Sequence, residues 1–264
     1  MNRKKLLISL AMVMLSMAGL AADNLPALRV QGKNLVDANG KTVVLHGVMD
    51  TPNRYFNGWR WQQWKADYSE ADIQPCLEYF SKQFSAITDK KQGAYCTVFR
   101  LHMDPCWTND PSKKAENEAD ISAFNMARYR LYLQKLYIPL IKDAIAHGLY
   151  VIVRPPGVCP GDISVGDKYN RYLKGIWKAF AADEYIKQNE GVISIELANE
   201  PVRVHLSDGT DSEEALHDYF QPVVDVIREQ GFKGIIWVPG AGYQSQYQDY
   251  VKYPITDSED NFSY

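Results

Sequence analysis

Apolar and polar residues alternate most regularly between positions 192 and 201. One face of an extended chain would carry Ile193, Ile195 and Leu197, and the other Ser194, Glu196, Ala198 and Glu200. This pattern predicts a short strand with one face on helices and the other towards a polar interior, as in a barrel wall. Pro201 cannot donate to a ladder, which would leave Glu200 at the C-terminal end of the strand. The alternative is a buried strand that merely ends in Asn-Glu-Pro, but carboxylates in so apolar a run are costly unless paired or used.

Helical segments that end in glycine and lead into β-rich runs recur along the chain. The glycines are Gly93, Gly148, Gly191 and Gly231, and the runs that follow cover residues 95–102, 150–154, 192–200 and 234–238. Glycine is common just past a helix C-terminus, where φ is positive. The repetition predicts βα units around a parallel sheet. A further strand is expected at 42–48, after a hairpin whose turn is Asn39-Gly40. Residues 49–66 are expected to form a long aromatic loop, or a lid packed by its own aromatics.

The first 22 residues have the features of an export signal. Basic residues at 2–5 precede an apolar run over 6–17 and small residues at 18–22. We therefore expect a signal peptide over 1–22, a single barrel domain over 23–264, and a secreted or periplasmic protein with no membrane span after cleavage. The apolar run is too short for a comfortable span.

Composition excludes several classes of partner. The chain is 46% hydrophobic and 23% charged, with a net charge of −3, so neither nucleic acid nor an anionic membrane surface is indicated as a partner. No Cys-x-x-Cys pair signals a zinc site, and we expect no metal or other cofactor. We expect a monomer with free thiols; the alternative for the cysteines is a disulfide between Cys106 and Cys159, each just past a predicted strand.

The ends of the predicted strands carry the candidate chemistry. Alternation places Arg100 and His102 on the interior side of one strand, while Arg154 ends the next and Asn199 and Glu200 end the 192–200 strand. In a closed barrel these side chains converge at one mouth. Internal salt bridges could account for Arg154 and Glu196, though less well for Asn199 and Glu200. An open doubly wound sheet would place these groups on both faces, and the first strand lacks a glycine-rich phosphate loop.

The motif Ile-Glu-Leu-Ala-Asn-Glu-Pro at 195–201 resembles the retaining glycoside hydrolases of clan A, and most closely glycoside hydrolase family 5. The segment 35–48 and the run 98–101 carry the same resemblance. It implies an α/β fold of the (β/α)8 type and a metal-free endo-acting hydrolase of polysaccharides such as β-glucan or β-mannan. Glu200 would be the general acid/base, Asn199 would bind the sugar 2-OH, and Arg100 would hold the nucleophile.

Further substrate contacts are expected from His102, Arg154, Trp107 and Trp237. Trp107, just past the second strand, would stack on a sugar ring or else pack at the rim. The family usually places a histidine, after an aspartate, where this sequence has Arg154-Pro155-Pro156-Gly157, which puts the substrate subgroup in doubt.

The family's nucleophilic glutamate ends the seventh strand, whereas residues 261–264 of this sequence look like the start of the sixth. The later glutamates, Glu213, Glu214, Glu229 and Glu259, lie in or beside a predicted helix or in a polar loop. We therefore expect an incomplete barrel of about five to six βα units that has little or no hydrolase activity by itself. The alternatives are a non-catalytic carbohydrate-binding protein that uses the aromatic residues of 55–64 with Trp107, and a fragment with no function.

Overall fold

The structure is a computed structural model that describes residues 25–53 and 68–264. The predicted export signal and most of the predicted aromatic loop therefore lie outside the described residues. The strands in these two ranges are β1 (Arg29–Gln31), β2 (Asn34–Val36), β3 (Gly47–Asp50), β4 (Val98–His102), β5 (Tyr150–Arg154), β6 (Asp162–Ser164), β7 (Ile193–Glu196), β8 (Arg203–His205), β9 (Ile236–Trp237) and β10 (Phe262–Ser263).

The helices are α1 (Ile73–Ile87), α2 (Pro105–Thr108), α3 (Met126–Tyr132), α4 (Ile138–Ala146), α5 (Lys168–Ala181), α6 (Glu184–Gln188), α7 (Ala215–Glu229) and α8 (Asp249–Lys252). A π-helical turn, Leu133–Tyr137, joins α3 to α4. Short 3-10 turns lie at Glu70–Asp72, Lys90–Gln92 and Ile121–Ala123. No helix among the described residues is both long and apolar enough to cross a bilayer.

The main sheet has six parallel strands in the order β3-β4-β5-β7-β9-β10. This chain-order arrangement with intervening helices is the wall of a (β/α)8 barrel, and it confirms the predicted α/β class. Within the described ranges β3 and β10 are the two edges and do not pair with each other. The predicted incomplete barrel is thus the arrangement observed.

Several predicted strand bounds were wrong, and the runs expected at 95–102 and 234–238 form strands only over Val98–His102 and Ile236–Trp237. The strand expected at 42–48 is β3, Gly47–Asp50, and the strand expected to run to Glu200 stops at Glu196. Beyond Glu196 the chain leaves the sheet, because the Asn199 carbonyl turns to accept from the Cys159 amide at 3.1 Å. Glu200 has a φ of 52°, which no strand accommodates.

The N-terminal hairpin closes one end of the barrel interior. β1 and β2 pair antiparallel around a turn at Gly32, whose φ is 58°. The predicted turn at Asn39-Gly40, where Gly40 has a φ of 78°, follows β2 and returns the chain to an antiparallel bridge between Val36 and Thr42. Leu28, just before β1, packs with Val98, Tyr150 and Ile235 in an apolar cluster at the N-terminal ends of the strands. The polar side chains of the interior are consequently confined to the C-terminal end.

The outer face of the sheet carries the larger apolar core. Helices α1, α4, α5 and α7 each bury an amphipathic face against it. Among these contacts, Trp177 of α5 is fully buried and its indole N–H donates to the Leu197 carbonyl at 3.0 Å. This hydrogen bond anchors the start of the loop that carries Asn199.

All four cysteines are free thiols, as expected, and the alternative disulfide between Cys106 and Cys159 is not formed.

Candidate active site

A bidentate ion pair spans the C-terminal mouth of the barrel. Arg100 of β4 donates from Nε to Glu196 Oε2 at 2.6 Å and from Nη2 to Glu196 Oε1 at 2.5 Å. The side chain of Glu196 is 9% exposed and that of Arg100 is 27% exposed. Both belong to the interior face because the register aligns Arg100 with Ile152 of β5, which in turn aligns with Ser194 of β7. A planar guanidinium matched to two carboxylate oxygens is held more rigidly than a single-point contact.

Asn199 is buried beside this pair. Its Oδ1 accepts from Arg100 Nη2 at 3.3 Å. Its Nδ2 donates no hydrogen bond to any described residue. Arg100 therefore orients the Asn199 amide so that its donor remains available to a ligand hydroxyl.

Glu200 stands apart from its neighbours in both exposure and backbone conformation. Its side chain is exposed and forms no hydrogen bond or ion pair within the described ranges. The φ of 52° places a non-glycine residue in the left-handed region, at a cost of about 1–2 kcal/mol. Residues held in such conformations cluster at functional sites.

His102 and Arg154 are register partners at the ends of β4 and β5. Burial lowers the pKa of His102 well below its usual range, and the charges of Arg154 and Arg100 lower it further, against an opposing contribution from the Gly157 carbonyl. The neutral ring points Nε2 at that carbonyl, 3.2 Å away, which places the proton on Nε2. Nδ1 is a buried atom with no hydrogen-bond partner among the residues that the structure describes.

Arg154 is a buried cation with no carboxylate bonded to it among the described residues. Burial, and then the charge of Arg100, lower its pKa to about 10, so it stays protonated at neutral pH. Nη1 contacts the Met49 sulfur at 3.4 Å, and Nε has no hydrogen-bond partner within ranges 25–53 and 68–264. The salt-bridge explanation therefore holds for Glu196, which pairs with Arg100, but not for Arg154, which has no ion pair among the described residues.

The two tryptophans occupy different environments. Trp237 of β9 is half-buried in the barrel interior, and its indole N–H donates to Ser194 Oγ at 2.9 Å. Trp107 of α2 is fully buried, donates to the Pro52 carbonyl at 2.9 Å, and packs its ring on Tyr68 and Tyr132. The expectation that Trp107 stacks on a sugar is corrected, because the side chain is fully buried against Tyr68 and Tyr132.

The loops that follow β5 and β7 form a small framework beside the mouth. Strands β6 and β8 pair in parallel. Arg203 donates from Nε and Nη2 to the two oxygens of Asp162 at 2.5 and 2.6 Å. Gln244 also reaches the mouth, where its Nε2 lies 3.4 Å from Glu196 Oε1. The sequence around these residues shows no periodicity or motif from which either contact could have been predicted. No group of three or more His, Cys, Asp or Glu side chains in the described ranges is arranged to hold a metal ion.

A protein-family model matches most of the chain. The family model described as cellulase (glycosyl hydrolase family 5) matches residues 75–264. A search of curated proteins finds no match.

Solved structures similar to the chain include cellulases, glucanases and mannanases. One is a thermostable, halotolerant family 5 cellulase from an Icelandic hot spring isolate, at 22% identity and a TM-score of 0.57, covering 93% of this chain and 61% of that one. Another is a β-glucanase from Saccharophagus degradans in complex with cellotetraose, at 15% identity and a TM-score of 0.55, with coverage of 92% and 62%. A β-mannanase from Thermomonospora fusca has 14% identity and a TM-score of 0.50, with coverage of 90% and 63%. At these identities the likeness shows the fold, and the chain spans about three fifths of the length of these structures.

Proposed function

This chain belongs to the cellulase family, glycosyl hydrolase family 5, and on that premise we propose that it hydrolyses the glycosidic bonds of a β-glucan or β-mannan. In this proposal the enzyme is endo-acting and retains anomeric configuration, and Glu200 is the general acid/base. The observation that carries the proposal is Glu200 itself: an exposed carboxyl in left-handed backbone, next to the Arg100-held Asn199.

The chemistry assigned to Glu200 has two stages. As an acid it gives its proton to the glycosidic oxygen while the C1–O bond breaks and a carboxylate forms a bond to C1. As a base it then takes a proton from water, whose oxygen bonds to C1 as the carboxylate leaves. In this proposal Asn199, whose Oδ1 accepts from Arg100, donates from Nδ2 to a hydroxyl of the same sugar ring. His102, Arg154 and Trp237 would contact the sugar from the floor of the mouth.

Glu196 is a poor candidate for the second carboxylate. Both of its oxygens accept charge-assisted hydrogen bonds from Arg100, which hold the negative charge away from an attacking role. We therefore assign Glu196 to orient Arg100. A retaining mechanism needs a further carboxyl about 5–5.5 Å from Glu200, and we propose that the chain by itself turns over slowly.

Two measurements test this function. The first is reducing-sugar release from carboxymethylcellulose, xyloglucan and mannan, compared with Glu200→Gln; loss of release in the variant is expected. The second is cleavage of a nitrophenyl β-cellobioside with and without azide, an external nucleophile. Acceleration by azide that yields a glycosyl azide of inverted configuration would show that the site lacks its own nucleophile. Release that survives in Glu200→Gln would contradict the assignment of Glu200.

A non-catalytic carbohydrate-binding role is less well supported. It relied on Trp107, which is buried, and on the aromatic residues 55–64, which lie outside the described residues.

We further propose that the protein is exported by the signal at residues 1–22 and acts on polysaccharide as a monomer without a nucleic-acid partner. N-terminal sequencing of the secreted protein would test this, and a start before residue 22 would contradict it.

A further inference from the structure

Three consecutive residues after β9 adopt left-handed backbone. Gly242, Tyr243 and Gln244 have φ values of 56°, 59° and 61°. Glycine tolerates this region, whereas a side chain brings Cβ against the following carbonyl. Such a conformation persists only where surrounding contacts hold it in place. The contacts of this left-handed turn, residues 242–244, therefore indicate what it is for.

On one side the turn holds the residues that follow Glu200. The Gly242 amide donates to the Val202 carbonyl at 2.9 Å, and the Tyr243 amide donates to the Pro201 carbonyl at 2.9 Å. These hydrogen bonds tie two successive peptide units directly after Glu200 to the end of a different strand.

On the other side the turn reaches the residues before Glu200. Gln244 Nε2 lies 3.3 Å from the Ala198 carbonyl and 3.4 Å from Glu196 Oε1. The same carboxylate oxygen accepts from Arg100 Nη2 at 2.5 Å. One short turn thus contacts the chain on both sides of the Asn199-Glu200 pair.

Glu200 makes no hydrogen bond of its own within the described residues, so its position depends on what holds its neighbours. We propose that the left-handed turn fixes the position of Glu200, and that Gln244 is a positioning residue within it. The left-handed backbone at 242–244 aims the Gln244 amide back at the 196–198 segment. The consequence for catalysis rests on the proposed function, but the consequence for local order does not.

Amide hydrogen exchange in the full chain tests this without turnover. Two amides report on the segment from outside the turn: Leu197, which donates to the Trp237 carbonyl at 3.1 Å, and Cys159, which donates to the Asn199 carbonyl at 3.1 Å. The test variant is Gln244→Gly, which relieves the backbone and deletes the amide. The matched control is Tyr243→Gly, which relieves the neighbouring left-handed residue, whose side chain is 67% exposed and makes no hydrogen bond in the described ranges.

Both variants are expected to be at least as stable as the parent, because glycine removes the steric cost at a positive φ. Gln244→Gly should nevertheless exchange the two reporter amides about fivefold faster, as expected for the loss of about one hydrogen bond. Tyr243→Gly should leave them unchanged. Unchanged exchange of the two reporter amides in both variants would overturn the proposal. Equally faster exchange in both variants would also overturn it, because the order of the segment would then depend on the backbone of the turn rather than on the Gln244 side chain.

Gln244→Met, which keeps the side-chain length without the donor, serves the same comparison if the glycine variant fails to fold. Where the parent chain is active, this variant should lower kcat with KM within about twofold, because the acid is misplaced while most substrate contacts remain. A parent chain that neither hydrolyses glycan nor responds to azide would contradict the proposed function, and the exchange comparison would still decide the role of Gln244.

Discussion

Arg100 and Glu196 are 96 residues apart in the sequence and form a bidentate pair across the barrel mouth, at 2.6 and 2.5 Å. The strand between them, β5, contributes Ile152 on the same interior face. The pair therefore bridges β4 and β7, which are not direct neighbours. Arg100 Nη2 also donates to Asn199 Oδ1 and so orients the Asn199 amide.

Removing the charge of Glu196 should destabilise the protein. Glu196→Gln leaves the partly buried Arg100 without its carboxylate partner. Because the pair is neither fully buried nor fully exposed, we expect a loss of about 2 kcal/mol in the free energy of unfolding. Urea denaturation measures it. The matched control is Glu213→Gln, which breaks an exposed pair with Lys252 at 2.7 Å and should cost at most about 0.5 kcal/mol. Equal losses would mean that the mouth pair is no stronger than a surface pair.

Replacing Glu200 with a residue that tolerates left-handed backbone should raise stability and abolish activity. Asparagine tolerates the left-handed region better than glutamate does, so Glu200→Asn should raise the free energy of unfolding by about 0.5 kcal/mol while abolishing glycan hydrolysis. Glu200→Ala keeps the steric cost and should show no such gain. Thermal denaturation of the two variants compares them, and a less stable asparagine variant would argue against strain at this position.

His102 should make stability sensitive to acid. Its folded-state pKa lies well below the unfolded value because of burial and the neighbouring arginines. The unfolded chain therefore binds the proton first, and stability is lost as pH falls below about 6.5 until the folded pKa is reached, by up to about 1.4 kcal/mol per pH unit.

The comparison variant for this pH effect is His102→Gln, whose amide can still donate to the Gly157 carbonyl but does not titrate. Unfolding measured between pH 7.5 and 5 should show the parent losing stability relative to the variant. The charged groups facing the ring are Arg154 and Arg100, and the pKa of Arg154, about 10, lies above this range. Parallel pH profiles would mean that His102 is not buried as a neutral ring.

Trp107 should matter for stability and not for sugar binding. Trp107→Phe removes the hydrogen bond to the Pro52 carbonyl and part of a buried ring, and should cost about 2–3 kcal/mol. Calorimetric titration with a cello-oligosaccharide should give an unchanged affinity. Trp237→Phe, made in the barrel interior, should weaken binding more. An affinity loss confined to Trp107→Phe would reinstate the stacking role.

Local sequence signals predicted most of the architecture. Gly148 and Gly231 have φ values of 80° and 84°, as expected of glycines just past a helix, and the strand at Tyr150–Arg154 has the predicted bounds. Period-two alternation also placed Arg100 and Glu196 on one interior face. It failed at the end of β7, where a loop contact from Cys159 draws the chain out of the sheet.

Periodicity and turn residues within a few positions were enough to predict the order of the βα units, the inward faces of β4, β5 and β7, and a mouth that carries the Asn-Glu-Pro motif. The tertiary fold paired Glu196 with Arg100 and left Arg154 with no bonded carboxylate among the described residues. It also buried Trp107 and brought Gln244 to Glu196 from 48 residues away. Strand register and loop packing set these contacts, and both depend on the relative placement of distant segments rather than on the pattern within any one of them.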